Sequence, residues 1–386
     1  MKILLVKTFP EGITLGEATY NYQEVGIAKA LTKKGHQCDI LCCSDREETE
    51  HSIDVGDGRT VTLYCKRALN MLKNGLFINV SVFLDSYDLL QASEYNQLYT
   101  WHMAGKYRDK MVVWHGPYYS SFNKRYNAMS RVFDLVFLKR YKRLNTMFLT
   151  KSILATEYLE GKNLKNVMTI GVGIDREMLT DYGKEHLAFV DEVRKAKGRK
   201  LLYIGRLEPR RNPCFLLDVL KTFVDNREDV SLVVVGKGEE KYVRGFWAYA
   251  ESLGVRDRII YCESVNQRHM DQLYAEAEIF LLPTAYDIFG MVLLEAMYFR
   301  KGVITTRNGG SCMLIEDGEN GFVLDELDVE TWCSRIRFLL KDTDRLREIG
   351  SRAHEKVVGE YIWDVLADRL LEAYERKAVY KADGRF

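Results

Sequence analysis

The sequence lacks most of the features that commit a chain to nucleic acid, to a bilayer or to an oxidising compartment. Lysine and arginine total 56 against 55 acidic residues, a net charge of +1. The basic excess of a dedicated nucleic-acid binder is therefore missing, and no nucleic-acid partner is expected. No window of about 18 uncharged apolar residues is long enough to cross a membrane, and the apolar run at residues 3–6 is too short for a signal-peptide core. Only five prolines occur, which leaves no proline-rich linker. None of the eight cysteines forms Cys-x-x-Cys, and no Cys/His cluster has zinc-site spacing. Reduced, buried thiols in a cytoplasmic protein are the expectation. What the sequence does have is 47% hydrophobic and 12% aromatic residues over 386 positions. That excludes a disordered chain and suits roughly two or three domains.

Short runs that are apolar throughout, rather than alternating, mark strands of a parallel sheet covered on both faces. In the first half they fall at 3–6, 38–43 and 112–114, with weaker candidates at 78–84 and 146–149. In the second half they fall at 201–204, 232–235, 259–262, 279–282, 303–305 and 322–324. Segments with apolar positions three and four apart lie between them, for example 25–34 and 213–223. The alternation predicts an α/β fold of two Rossmann-like units. The expected division is 1–175, 176–360 and a last helix over 361–386.

Ligands of such sheets bind beyond the carboxyl ends of the strands, so the loops that follow the apolar runs matter most. After 201–204 comes Gly205-Arg206-Leu207-Glu208-Pro209-Arg210-Arg211-Asn212, three arginines at the opening of a helix that can begin at Pro213. Fixed cations at a helix amino terminus suit a phosphate. After 232–235, Gly236-Lys237-Gly238 lacks the third glycine of a dinucleotide fingerprint and reads as a tight turn. After 279–282 comes Pro283-Thr284-Ala285-Tyr286-Asp287-Ile288-Phe289-Gly290-Met291, with Glu295 farther along the helix that Gly290 opens. Asp287 and Glu295 can flank an anion pocket formed by first-turn N–H groups. Gly309-Gly310 allows a close backbone approach to a ligand, and Asp317-Gly318-Glu319-Asn320-Gly321 reads as a turn. In the first half, His115 stands at the end of the 112–114 run.

The order GRLEPRRN, PTAYDIFGMVLLEAM, NGG and DGENGF resembles the retaining glycosyltransferases of family 4, which have the GT-B fold. The likeness is clear from about 201 to 340 and fainter over 1–175. It implies two parallel-sheet domains facing across a cleft, with the last helix, from Tyr361-Ile362-Trp363 onwards, crossing back to the first. It also implies that Arg206 and Arg211 hold the donor diphosphate, that Asp287 faces the transferred sugar and that His115 lies near it. Glu295 would bind ribose hydroxyls. Gly205 and the backbone of Phe289, Gly290 and Met291 would line the donor. In the first loop, Ala18-Thr19 replace the family's Gly-Gly, with Gly16 nearby to approach the donor.

The resemblance further implies a hexosyltransferase that moves sugar from a nucleotide-diphosphate donor, with UDP the expected carrier, to a glycan, polysaccharide or lipid-linked acceptor. Front-face attack would retain the anomeric configuration. No D-x-D stands in the donor loop, and neither a metal nor a cofactor other than the donor substrate is expected. Asp in place of Glu at 287 and the lost Gly-Gly keep a non-catalytic nucleotide-sugar-binding partner open as an alternative, beside a nonhydrolysing epimerase. Residues 124–151 carry eight basic side chains against one acid, Asp134, with Phe122 just before them and Tyr126, Phe133, Phe137, Tyr141 and Phe148 among them. A basic amphipathic segment of this kind suits an anionic membrane surface, so peripheral attachment to the inner face of the membrane is expected.

Overall fold

A computed structural model describes residues 1–10, 13, 22–71, 73–179 and 185–382. The chain divides into two compact units, Met1–Gly173 with Trp363–Phe386, and Ile174–Ile362. Gly16, Ala18 and Thr19 lie outside the described residues.

In the first unit the described strands are β1 (Lys2–Val6), β2 (Gln37–Ser44), β3 (Thr49–Gly56), β4 (Arg59–Met71), β5 (Asn74–Phe77), β6 (Leu89–Ser93), β7 (Met111–His115), β8 (Met147–Thr150) and β9 (Val167–Thr169). They form one sheet in the order β3-β4-β2-β1-β6-β7-β8-β9, with β5 against β4. From β4 through β2 to β9 the pairing is parallel. β3 and β5 pair antiparallel with β4. Every residue of β6, β7 and β8 is buried, as expected where helices cover both faces. The helix Trp363–Ala382 belongs to this unit. Tyr374 donates from it to Oε1 of Gln91 on β6 at 2.7 Å, and its Asp368 pairs with Lys34 at 2.7 Å.

The second unit holds β10 (Arg199–Ile204), β11 (Val230–Val235), β12 (Ile259–Cys262), β13 (Ile279–Leu282), β14 (Gly302–Thr305) and β15 (Phe322–Val323). All pair parallel, in the order β12-β11-β10-β13-β14-β15. The helix Pro213–Asp225 starts at its proline, whose fixed φ and missing N–H suit a first turn. Its apolar face packs Leu216, Leu220 and Phe223 into a core shared with Trp332 and Ile336. Each fully buried side chain of this size contributes about 1.5–3 kcal/mol.

Two expectations need correction. Residues 78–84 are not a strand: Ser81–Asp85 is a short helix, and the neighbouring strand is β5, which turns back on β4. The segment 124–151 is not one amphipathic element. A helix spans Lys124–Arg143, and β8 follows it in the core. Phe133 and Tyr141 point inward from that helix, and Phe148 lies on β8. Aliphatic side chains, not the aromatic ones, face outward from the helix.

Candidate functional site

Two loops of the second unit, one after β10 and one after β13, are laced together. Asn212, in the left-handed conformation at φ 50°, donates from Nδ2 to the carbonyl of Pro283 at 2.8 Å. Ala285 N–H donates to Arg210 O at 2.9 Å. Arg210 spans the same gap. Its Nη1 donates to Tyr286 O at 3.0 Å, while Nη2 reaches Glu208 Oε1 at 2.6 Å. Of the three arginines in the motif, Arg210 therefore does architectural work.

Arg211 comes next and points at the loop after β13. Its Nη1 donates to Asp287 Oδ2, and its Nε lies 3.9 Å from Glu208. Burial opposes the Arg211 charge, but the carboxylates of Asp287 and Glu208, with Tyr203, push its guanidinium up on balance. Gly290 caps the following helix, Met291–Tyr298, at φ 80° and ψ 74°, a conformation that favours glycine. A Cβ there would lie 3.6 Å from the same Asp287 carboxylate. Arg211, Asp287 and the start of this helix thus converge. Arg206 stands apart, with its side chain 69% exposed and its Nε 3.8 Å from Glu208. It lines a cavity of about 540 Å³ with Pro209, Cys214, Tyr242 and Phe246. Gly205 follows β10, and its N–H donates to Val235 O at 3.0 Å.

Phe289 and Met291 bury their side chains, leaving only backbone to meet a ligand. The Gly309-Gly310 pair serves that loop rather than offering itself outward. A Cβ on Gly309 would fall 2.0 Å from Ile288 O, and one on Gly310 would fall 1.6 Å from Phe289 O. The close approach expected toward a ligand is an approach to the Asp287–Phe289 backbone. Buried Asn308 holds the turn by accepting from the N–H groups of Gly310 and Ser311 at 3.0 and 3.1 Å. Gly236-Lys237-Gly238 lies along the arginine loop, where Leu207 N–H donates to Lys237 O at 2.8 Å.

Glu295, 2% exposed, accepts from Gln267 Nε2 at 2.5 Å and lies beside the Tyr274 hydroxyl, which donates to Val292 O at 3.3 Å. Burial pushes its carboxyl up to about 7, and these two neutral groups only partly oppose that. Neither Gln267 nor Tyr274 has a signal in the sequence pattern around the motif.

In the first unit, His115 is the last residue of β7 and is fully buried. Its Nδ1 lies 2.6 Å from Glu94 Oε2, and the Gly116 N–H donates to the same oxygen at 3.0 Å. Lys151 Nζ reaches the other oxygen at 3.1 Å. Burial alone would raise the Glu94 carboxyl. Lys151, His115 and the Gly116 N–H outweigh it and hold the group down at about 2. Sequence reasoning found His115 but missed Glu94, because the run 89–93 is short and interrupted by Gln91. Lys151, expected on a membrane-facing segment, instead pairs with Glu94 in the interior and is 12% exposed. Among the described residues no group of three or more His, Cys, Asp or Glu is placed to hold a metal ion.

Residues 187–356, all within the second unit, match the family described as glycosyl transferases group 1. That segment is similar to the group 1 glycosyl transferases, in keeping with the family resemblance of its motifs. Over 174 residues, 45% of this chain, it is 30% identical to a D-inositol 3-phosphate glycosyltransferase of Segniliparus rotundus, of which the match covers 38%. The chain spans about half the length, or less, of the curated relatives it matches. Sucrose-phosphate synthase of Thermosynechococcus elongatus shares the fold with a TM-score of 0.73 at 16% identity, over 97% of this chain and 99% of that one. HepE of Anabaena, solved in complex with UDP, does so at 0.72 and 17% identity, over 97% and 100%. The fold is the GT-B architecture of two parallel-sheet α/β domains.

Proposed function

We propose that this protein is a retaining, metal-independent hexosyltransferase that moves a sugar from a UDP-linked donor to a glycan, polysaccharide or lipid-linked acceptor. The observation that carries this reading is the convergence of Arg211, Asp287 and the glycine-capped helix start. Breaking a sugar–phosphate bond leaves an oxocarbenium-like sugar and a diphosphate that gains negative charge. A half-buried guanidinium and oriented first-turn N–H groups stabilise that leaving group more in the transition state than before it. A guanidinium has five N–H donors, so Arg211 can keep its bond to Asp287 while serving the diphosphate. Arg206, exposed beside the same Glu208, adds a second cation. Glu295 takes the ribose hydroxyls and Asp287 faces the transferred sugar. The family resemblance assigns His115 to a sugar as well. A fold neighbour solved with UDP supports uridine as the carrier.

The test is nucleotide release from a panel of UDP-, GDP- and ADP-sugars in the presence of glycan acceptors. Turnover should fall by about 10²–10³ in Arg211→Ala. Saturable binding without turnover would favour the non-catalytic partner, for which Asp at 287 is the motivating departure. Nuclear magnetic resonance of the product's anomeric proton reports retention, and activity in excess chelator reports metal independence.

The acceptor is proposed to be met at an anionic bilayer surface on the cytoplasmic face. No helix among the described residues is long and apolar enough to cross a membrane. The helix Lys124–Arg143, however, exposes Leu135 at 81% and Val132 and Val136 at 64% each. Lys124, Arg125, Arg131, Lys139, Lys142 and Arg143 are exposed on the same helix, while Asp134 is taken up by Lys162. Apolar insertion and cationic attraction then act together. Co-sedimentation with phosphatidylserine vesicles, lost on Leu135→Asp and at high salt, is the expected result. No binding at low salt would remove the membrane from the proposal.

A further inference from the structure

Glu94, His115 and Lys151 form a row across three neighbouring parallel strands. β6 pairs with β7 so that Ser93 lies beside Trp114, which sets Glu94 next to His115. β7 pairs with β8 so that His115 lies beside Thr150, and Lys151 follows at once, its N–H donating to His115 O at 2.8 Å. The row therefore sits at the carboxyl ends of the strands, where parallel α/β sheets place their ligands. Two features single it out from an ordinary buried ion pair. Glu94 holds the left-handed conformation at φ 54°, sparsely populated for a residue with a side chain, and its N–H is tied to Trp114 O at 2.8 Å. Strained residues of this kind cluster at functional sites. The imidazole is also fully buried, yet its Nε2 meets no hydrogen-bond partner among the described residues. Buried polar atoms are nearly always partnered, so an exception calls for a reason.

The chemistry of the row supplies one. An ionised carboxylate only accepts hydrogen bonds, so the 2.6 Å contact requires a proton on His115 Nδ1. The Lys151 cation on the other oxygen keeps Glu94 ionised and balances its charge. The ring is fixed in place by Tyr95, edge-on at 5.0 Å between centroids, and by Tyr158, nearly parallel at 6.1 Å. We infer that Glu94, with Lys151 as its counterion, is a positioning residue that holds His115 as the Nδ1-protonated tautomer, so that Nε2 accepts a hydrogen bond from a hydroxyl of a sugar ligand. This role rests on the assignment of His115 to the sugar made above. Because Nε2 is covered, the hydroxyl reaches it only as the surrounding side chains give way on binding.

The experiment has a structural arm and a kinetic arm. The full-length protein, labelled with ¹⁵N-histidine, is measured at pH 8 by long-range ¹⁵N–¹H correlation, with the His115 signal assigned by its loss in His115→Asn. A protonated Nδ1 and a bare Nε2 are expected. A bare Nδ1, or protons on both nitrogens, overturns the inference, and this arm needs neither turnover nor a variant of Glu94. In the kinetic arm, Glu94→Gln offers an amide that can donate to Nδ1 and so release the proton to Nε2. The expected result is a kcat lower by about ten- to a hundredfold, with the donor KM within about threefold. Glu94→Asp, which keeps the acceptor, should recover part of the loss. A Glu94→Gln enzyme that folds and turns over at the native rate overturns the inference. Absence of turnover with every donor would sink the transferase reading, while the tautomer would still decide this one.

Discussion

Glu94 and Glu295 are the same side chain buried to nearly the same degree, 3% and 2% exposed, in different units of the chain. Burial pushes both carboxyls up, yet one ends at about 2 and the other at about 7. The difference lies in what surrounds each group. Glu94 meets a cation, an imidazole and a backbone N–H. Glu295 meets an amide and a phenol, both neutral. Neutral donors satisfy the lone pairs of a buried carboxylate but do not offset its charge, whereas a cation at about 3 Å does both. The first arrangement locks a charge in place. The second leaves a carboxyl that changes protonation near neutral pH, which suits a residue whose proposed ligand is a pair of hydroxyls.

The largest effect should come from breaking the locked pair. Glu94→Ala leaves Lys151 as an uncompensated charge in the interior, and loss of one partner of such a pair costs about 3–5 kcal/mol. Urea unfolding of the first unit should show this. Glu295→Gln should cost far less, because the amide keeps a polar partner for Gln267 and Tyr274 and removes a group that resists charging. Equal losses in the two variants would erase the distinction drawn between the sites.

A smaller effect, on the order of 3 kcal/mol for each group, should appear as opposite pH dependences of stability. Glu295 has a folded value above its ordinary 4.5, so its contribution is fully present below pH 4.5 and is lost as the pH rises through about 7. Glu94 has a folded value below 4.5, so its contribution is present above pH 4.5 and is lost as the pH falls through about 2. Thermal melts from pH 3 to 8 should therefore show Glu295→Gln flattening the neutral limb and Glu94→Gln flattening the acid limb. Were each variant to alter the other's limb, the assignment of the two shifts would be wrong.

This contrast also marks how far the sequence could be read. β10, β11 and β13 were legible because the runs 201–204, 232–235 and 279–282 within them are apolar throughout and are followed by glycine or proline. Gly290 and Pro213 announced their helices by conformational need. β3 was not legible, since six of its eight residues are exposed and no apolar period marks them. β6 was missed because Gln91 breaks its run, and the partner that satisfies Gln91, Tyr374, lies 283 residues away. The ion pairs that define both sites have the same character. Arg211 and Asp287 are 76 positions apart, and Glu94 and Lys151 are 57 apart, separations that carry no local pattern. On the helix Lys124–Arg143 apolar residues occupy both faces, so periodicity could not say that Phe133 turns inward and Leu135 outward.

The smallest effect, and the sharpest use of the comparison, is to convert one site into the other. Gln267 is half-buried and donates directly to Glu295, so Gln267→Lys would place a cation where Glu94 has Lys151. The Glu295 carboxyl should then fall from about 7 toward or below its ordinary value, and stability above pH 7 should rise by about 1–2 kcal/mol. The same change separates stability from binding. In the native protein Glu295 becomes a pure acceptor for hydroxyl groups only when ionised, so UDP affinity should increase from pH 6 to pH 8 even as stability declines. With the lysine in place, affinity measured by calorimetry should vary little over that range. A native protein whose UDP affinity is level between pH 6 and 8 would mean that Glu295 is not the group that meets the ribose.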